Sequence, residues 1–199
     1  MDTVDLGGKE STVKSADYKN WTPAIALQHF QQEVIAQDQP AQRISVSRMD
    51  GTTELQADII GIYKNPKTKL TANPRVRFEG EDGVGCGPVR EFFVNAVRII
   101  EEGIHSSDKA LVFLEGEADH RLPVHDQSLR LTGTFKALGR IIGHSVLHGG
   151  PGLHGLSPAA KHYLSTERSD DDHQPPPIEL ADIADIELRN LISEVSCCI

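Results

Sequence analysis

Apolar side chains recur along this chain at two spacings, and each spacing names an element. Trp21-Thr22-Pro23 opens the first one. Thr22 can cap orphan amides, and Pro23 at the first helical position loses nothing by lacking an N–H. Leu27, Phe30 and Val34 follow as one helical stripe. Ile44 and Val46 alternate with Ser45 and Ser47, the pattern of a short half-buried strand. Asp50-Gly51 is a turn signal, and Leu55, Ile59, Ile60 and Tyr63 form a weaker helical stripe. Asn65-Pro66 and Asn73-Pro74 punctuate a loop, and Arg75-Val76-Arg77-Phe78 alternates as a second strand. A turn bearing Gly80, Gly83, Gly85 and Gly87 leads into a helix expected over 88–102. Gly87 is its expected N-cap, Pro88 its first residue, and Glu91 suits the positive end of its dipole. Val89, Phe92, Phe93, Ala96, Ile99 and Ile100 make its apolar face, and Gly103 ends it.

The second half repeats the logic. Leu111 to Leu114 is an apolar run, followed by an acidic, polar stretch through His125. A strong helix is expected over 134–148, with Phe135, Leu138, Ile141, Ile142, Ser145 and Val146 facing inward. Phe92, Phe135, Leu138 and Ile142 are the predicted core. On the same helix Lys136, Arg140, His144 and His148 stand four apart and read as a solvated polar stripe. Gly139 and Gly143 share that spacing and would admit another backbone; Gly149-Gly150-Pro151 stops the helix. Ser157-Pro158 starts a short helix through Leu164. Residues 165–177, with Asp170 to Asp172 and Pro175 to Pro177, read as a loop or linker. A last amphipathic piece carries Ile183, Ile186, Leu188, Leu191 and Ile192, with Asp185 as N-cap. Residues 1–20 are polar and read as a flexible leader. The pattern shows no internal repeats and predicts an α+β fold, mostly helical, with short strands.

Composition narrows the function classes. The chain has 199 residues, 20 basic against 29 acidic, and a net charge of −9. That balance gives no pull toward nucleic-acid phosphates or anionic lipid, so neither is expected as a partner. No apolar run reaches the roughly 18 residues of a membrane span, and Met1 to Glu10 carries no signal-peptide core. Three cysteines are too few for a disulfide scaffold, and with no secretory signal visible, reduced thiols in the cytoplasm or nucleus are expected. The end, Ser196-Cys197-Cys198-Ile199, lacks the cysteine fourth from the terminus that prenylation needs, and reads as a stray tail. Eight acids and one base lie between Ser165 and Glu187.

Three constellations invite chemistry, and each lacks a part. The glycines at 80, 83, 85 and 87 have no phosphate-loop lysine, and Glu79, Glu81 and Asp82 beside them would repel a phosphate. His120 and His125, with Asp126, Glu115, Glu117 and Asp119 nearby, do not make a tetrahedral metal set; neither do His144 and His148. The residue after His144 is Ser145, not the glutamate of a metalloprotease helix. Cys86 precedes a helix start, where a dipole can favour a thiolate. A cysteine hydrolase would also need a histidine and a carboxylate to orient it. No residue is assigned as catalytic, cofactor-binding or metal-binding, and no cofactor is expected.

The stretch from Arg75-Val76-Arg77-Phe78-Glu79-Gly80 through Gly85-Cys86-Gly87-Pro88-Val89-Arg90-Glu91-Phe92-Phe93 resembles the HECT domain of ubiquitin-protein ligases. That family carries a V-x-F-x-G-E-x-G-V strand, then D-x-G-G or D-x-G-P, then R-E-F-F on a helix. Phe135-Lys136-Ala137-Leu138-Gly139-Arg140-Ile141-Ile142-Gly143 resembles the family's F-x-x-x-G-R-x-x-G helix. His148-Gly149 and Leu156-Ser157-Pro158 continue the match, and Ile178 to Val195 resembles the acidic segment that follows. Leu111 to Leu129, with its H-x-L-P-V-H-D core, resembles a branch of HECT-like proteins from fish.

The resemblance runs from about Arg43 to the end and implies a two-lobed enzyme. One lobe recruits the charged ubiquitin-conjugating enzyme; the other carries a cysteine that takes ubiquitin as a thioester and passes it to a substrate lysine. The implied partners are conjugating enzyme, ubiquitin and substrate protein. Two departures stand out. Gly85 occupies the place of the family's aspartate, and no segment resembles its leucine-proline, threonine-cysteine-phenylalanine catalytic motif. Residues 21–199 therefore read as part of a HECT-like N-terminal lobe. The conjugating-enzyme-binding subdomain and the catalytic lobe are missing, so the chain is expected to be inactive alone. The alternatives are a non-catalytic HECT-like binding or regulatory module, and an unrelated cysteine enzyme using Cys86. Arg90, Glu91 and Arg140 are the polar matches, expected to pair with buried carbonyls or with each other.

Overall fold

The computed structural model describes residues 21–48, 51–83, 85–105, 110–165 and 176–196. The leader, most of the 165–177 loop, Asp50 and the Cys197-Cys198 pair lie outside the described residues. The fold is α+β and mostly helical, with short strands in two-stranded sheets. The chain divides into two compact units: Met1–Val97 with Leu129–Gly152, and Arg98–Ser128 with Leu153–Ile199.

The first unit opens with helix α1 (Pro23–Val34), whose N-cap Thr22 accepts from the Ile25 amide at 3.4 Å through Oγ1. Strand β1 (Gln42–Val46), helix α2 (Thr52–Lys64) and strand β2 (Pro74–Phe78) follow. The strands are parallel, in the register Arg43 to Arg75, Ile44 to Val76 and Ser45 to Arg77. Parallel neighbours need a crossover, and α2 supplies it. Ile44, Val46, Val76 and Phe78 face the core while 43, 45, 75 and 77 face out, as the alternation predicts. Helix α3 (Cys86–Glu102) follows the glycine turn, and helix α5 (Thr134–Leu147) packs on α2, preceded by the short helix α4 (Gln127–Leu131). Tyr63, Phe78, Phe92 and Phe93 are fully buried between them.

Several expectations need correction. Helix α3 starts at Cys86, so Gly87 lies inside its first turn rather than capping it. Gly85, at φ +96°, turns the chain one step earlier, and Pro88 falls among the first four amides that have no helical acceptor anyway. Phe135 and Ile142 are only half-buried. The buried arc of α5 runs through Thr134, Ala137, Leu138, Ile141, Ser145 and His144, and residues 135 and 142 sit on its flank. Gly139 and Gly143 face open space, with nothing near where a Cβ would stand. The close approach occurs instead at Gly150, where a Cβ would stand 2.5 Å from Ser145 Oγ and 2.8 Å from Phe93 Cβ. The stripe of α1 is uncovered: Leu27 and Phe30 are 38% and 48% exposed.

The second unit holds two antiparallel pairs: β3 (Ile104–His105) with β4 (Ala110–Leu111), and β5 (Leu114–Glu117) with β6 (His120–Pro123). The β5–β6 hairpin falls in the acidic stretch that has no strand pattern. Gly116, at φ +95°, makes it possible, because a side chain there would press on the His120 carbonyl. Helix α6 (Pro158–Ser165) is capped by Ser157 Oγ, which accepts from the Ala160 amide at 3.0 Å. Helix α7 (Ile186–Ser196) is capped by Asp185, whose Oδ1 accepts from Glu187 and Leu188. Both caps stand where the sequence predicts them. No helix among the described residues is long and apolar enough to cross a membrane.

Candidate functional site

The polar stripe of α5 is the centre of the first unit, and it is not solvated. Only Lys136 is exposed. One turn on, Arg140 donates from Nη1 to the carbonyls of Tyr63 (2.8 Å) and Asn65 (3.0 Å), and from Nη2 to that of Thr68 (2.6 Å). These carbonyls belong to the end of α2 and the loop after it. A helix leaves its last four carbonyls without helical partners and carries a partial negative charge there, so a cation with several N–H groups suits the place. Neighbouring carbonyls are met by other means: the Asn65 amide donates to Gly61, and Thr68 Oγ1 donates to Ile62 at 2.6 Å. Arg140 thus pairs with carbonyls, as expected of a polar residue on a core helix.

The next position, His144, is wholly buried and shares a 2.8 Å hydrogen bond between Nδ1 and the Tyr63 hydroxyl. Its Nε2 is buried with no hydrogen-bond partner. The Phe93 ring stands perpendicular to it at 5.1 Å, and the His148 ring at 4.8 Å. Burial, then the nearby His148 and Arg140, pushes the His144 pKa down to about 3. His144 is therefore neutral at physiological pH. Burial raises the Tyr63 hydroxyl far above its usual range, with Arg140 opposing weakly. His148 is also pushed down by burial, against the effect of its Nε2–H donating to the Leu70 carbonyl at 2.8 Å. A neutral histidine and a neutral phenol sealed from water cannot exchange protons with a substrate. The group is a polar knot that fixes α2 to α5. Neither histidine is free to bind metal through the nitrogen that holds Tyr63 or Leu70.

Beside this knot the first unit opens to solvent. A groove of about 1290 Å³ is lined by β1 and β2 from Arg43 to Arg77, by the first turn of α3 from Gly85 to Arg90, and by Phe93 and His148 to Gly150. Cys86 is exposed there. Among the described residues no histidine–carboxylate pair orients it, and the one histidine lining the groove is His148, whose Nε2 is held by Leu70. Nearby, Arg48 lies over the Phe78 ring at 3.6 Å and pairs with Glu91 at 2.8 Å and Glu81 at 3.3 Å. Glu91 thus has an arginine partner, while Arg90 is exposed in the groove.

The acidic stretch of the second unit is used for packing. His120 Nε2 meets Asp182 Oδ1 at 2.7 Å. The Asp182 carboxyl is held below its usual pKa, first by the Glu179 amide and then by His120. Arg189 pairs with Glu117 and donates to the Ile183 carbonyl from Nε and Nη2. Arg121 Nη1 donates to the Glu101 carbonyl at 3.1 Å. His125 is exposed and does not join His120. Among the described residues, no three of His, Cys, Asp and Glu lie together to hold a metal ion.

Sequence reasoning found every member of the knot but misread its environment. The signal was present: histidines and an arginine four apart, on a helix whose remaining inward positions are apolar, can be core as well as surface. The arginine groove was missed because its residues come from three elements that only the fold unites. No protein-family model matches the chain, and no curated protein matches it.

Proposed function

We propose that this chain supplies the scaffold of the N-terminal lobe of a HECT-type ubiquitin-protein ligase. It acts with conjugating enzyme, ubiquitin and substrate in the cytoplasm or nucleus. Transfer runs through a cysteine thioester that residues 1–199 do not form by themselves. One observation supports this reading. The two helices that carry the matched motifs, far apart in sequence, meet in one core through Phe93 and His144, while Phe135, Gly139 and Gly143 of the second motif lie at its edge or in the open. Phe92 stacks near Tyr63 with centroids 6.3 Å apart, and Phe93 meets His144. Arg140 closes the end of α2, and Glu91 is fixed by Arg48.

The thiols support the second half of the reading. Thioester exchange needs a thiolate held against the incoming acyl group, and orientation can supply about 7–11 kcal/mol of such a barrier. Cys86 lies exposed at a helix start, with no base placed against it.

Two experiments test the proposal. Residues 43–196 replace the corresponding stretch of an active ligase of the family, and the chimera is assayed for ubiquitin thioester formation. A chimera that charges with ubiquitin supports the scaffold reading. A folded chimera that does not charge, beside a parent that does, overturns it. The unaltered chain is then mixed with activating enzyme, a panel of conjugating enzymes, ubiquitin and ATP, and run without reductant. The expected result is no ubiquitin adduct. A reductant-sensitive band lost on Cys86→Ser or on changing the terminal cysteines would show a complete enzyme.

The open groove favours a second reading, a HECT-like module that binds without transferring. The transcript downstream of Ile199 separates the two. An in-frame catalytic cysteine motif supports the ligase; an immediate stop supports the module.

A further inference from the structure

The groove of the first unit has a charge pattern that nothing within its own fold explains. Arg43, Arg75, Arg77 and Arg90 line it, and among the described residues no aspartate or glutamate does. Arg43 and Arg75 are register partners on adjacent parallel strands, and Arg77 follows two residues along the same outward face. Adjacent strands lie about 4.8 Å apart, and residues two apart on a strand about 6.6 Å, so three guanidinium-bearing positions crowd one small patch. Like charges at that separation repel. A fold serving only itself would set a carboxylate among them, as it does for Arg48 with Glu81 and Glu91. None of the four arginines has an ion pair among the described residues. The adjoining carboxylate, Glu79, accepts from Ser45 Oγ at 3.1 Å instead.

We propose that this groove binds an extended acidic peptide segment of a partner protein. Carboxylates are the groups that planar guanidiniums hold best, often in pairs of parallel hydrogen bonds. An extended peptide carries every second side chain on one face with the same spacing that separates Arg75 from Arg77. The amides of the first turn of α3, at the other wall, add a favourable field for negative charge. The net charge of −9 works against a nucleic acid, whose long polyanion would be repelled by the rest of the surface. A short acidic segment laid along Arg43, Arg75 and Arg77 meets the local positive patch, clear of Glu79, whose carboxylate is turned to Ser45. The inference stands apart from the ligase reading and holds equally for a scaffold that recruits a substrate and for a module that only binds.

The test uses the full chain and a fluorescein-labelled peptide of alternating glutamate and glycine, read by anisotropy at low and physiological salt. Its glutamine–glycine counterpart and a labelled single-stranded oligonucleotide serve as controls. The glutamate peptide is expected to bind, more weakly as salt rises, and the glutamine peptide about tenfold or more weaker. Arg75→Gln with Arg77→Gln is expected to weaken binding by a similar factor, while Lys136→Gln on the far face of α5 leaves it unchanged. Circular dichroism confirms that the variants fold. Bound peptide should also slow alkylation of Cys86 by iodoacetamide. Equal binding of the two peptides, indifference to the arginine changes in a folded variant, or tighter binding of the oligonucleotide overturns the proposal.

Discussion

Tyr63 and His144, 81 positions apart, share a 2.8 Å hydrogen bond in a core where neither side chain is exposed. The pair couples two helices through polar atoms that water cannot replace. Tyr63→Phe leaves a ring nitrogen buried without its partner, and should cost about 1–3 kcal/mol in urea melts. Removing both partners, Tyr63→Phe with His144→Leu, should cost less than the sum of the single changes, by about 0.5–3 kcal/mol. Additive losses would show that the bond is incidental.

The same burial makes stability depend on pH. His144 titrates at 6.5 when unfolded and at about 3 when folded. The folded state therefore resists the proton that the unfolded state accepts. The stability is complete above 6.5 and is lost as pH falls from there toward about 3. At pH 5 the unfolding free energy should be about 2 kcal/mol below its value at pH 7. His148, also lowered, acts in the same direction. Denaturant melts at the two pH values measure the difference, and equal stabilities would contradict it.

Arg140 closes three carbonyls with one side chain. Arg140→Leu should destabilise by about 3 kcal/mol, because half-buried acceptors lose a charged donor. Arg140→Lys should recover only part of this, since an ammonium cannot fork to three acceptors in the same plane. Melts that do not separate lysine from arginine would mean that charge alone matters there.

The phenylalanines of the two strong helices should behave differently. Phe92 is fully buried, and Phe92→Ala should cost about 3–5 kcal/mol. Phe135 is half-buried on the flank of α5, and Phe135→Ala should cost about 1–2 kcal/mol. Equal losses in urea would place residue 135 deeper than the structure does.

Glycine substitutions offer a contrast within one segment. Gly139→Ala adds a methyl to open space on a helix and should stabilise by about 0.5–1 kcal/mol. Gly150→Ala forces a carbon against Ser145 Oγ and Phe93 Cβ and should destabilise by about 1–3 kcal/mol. Thermal melts of the two variants should move in opposite directions.

These contrasts show what patterning could and could not convey. Local signals were legible: Thr22, Ser157 and Asp185 cap their helices, and the alternation at 44–46 and 75–78 marks the two strands. The depth of a side chain was less so. Phe135 and Ile142 differ from Leu138 and Ile141 only in angle around α5, and that angle is set by where α2 packs. Polar residues were the hardest. His144 reads the same in sequence whether it faces water or Tyr63, since the partner lies on another helix. The β5–β6 hairpin gave no alternating signal, because its stability comes from Gly116 and from polar pairs such as His120 with Asp182. Groove residues drawn from β1, β2 and α3 share no spacing at all.

The division of the chain has a consequence for the order of events during synthesis. The first unit needs both Met1–Val97 and Leu129–Gly152, with a stretch of the second unit spliced between them. When Val97 leaves the ribosome, Tyr63 has no His144 to bond and the end of α2 has no Arg140. Translation delivers about 5–20 residues each second, so the early strands and helices wait several seconds for α5. Through that interval Phe92, Phe93 and Phe78 have no lasting cover, and they are natural clients for a chaperone. A ribosome stalled before Thr134 should hold a protease-sensitive nascent chain, and one stalled well beyond Gly152 a resistant one. The gain of protection should come in one step, when the second stretch of the unit arrives.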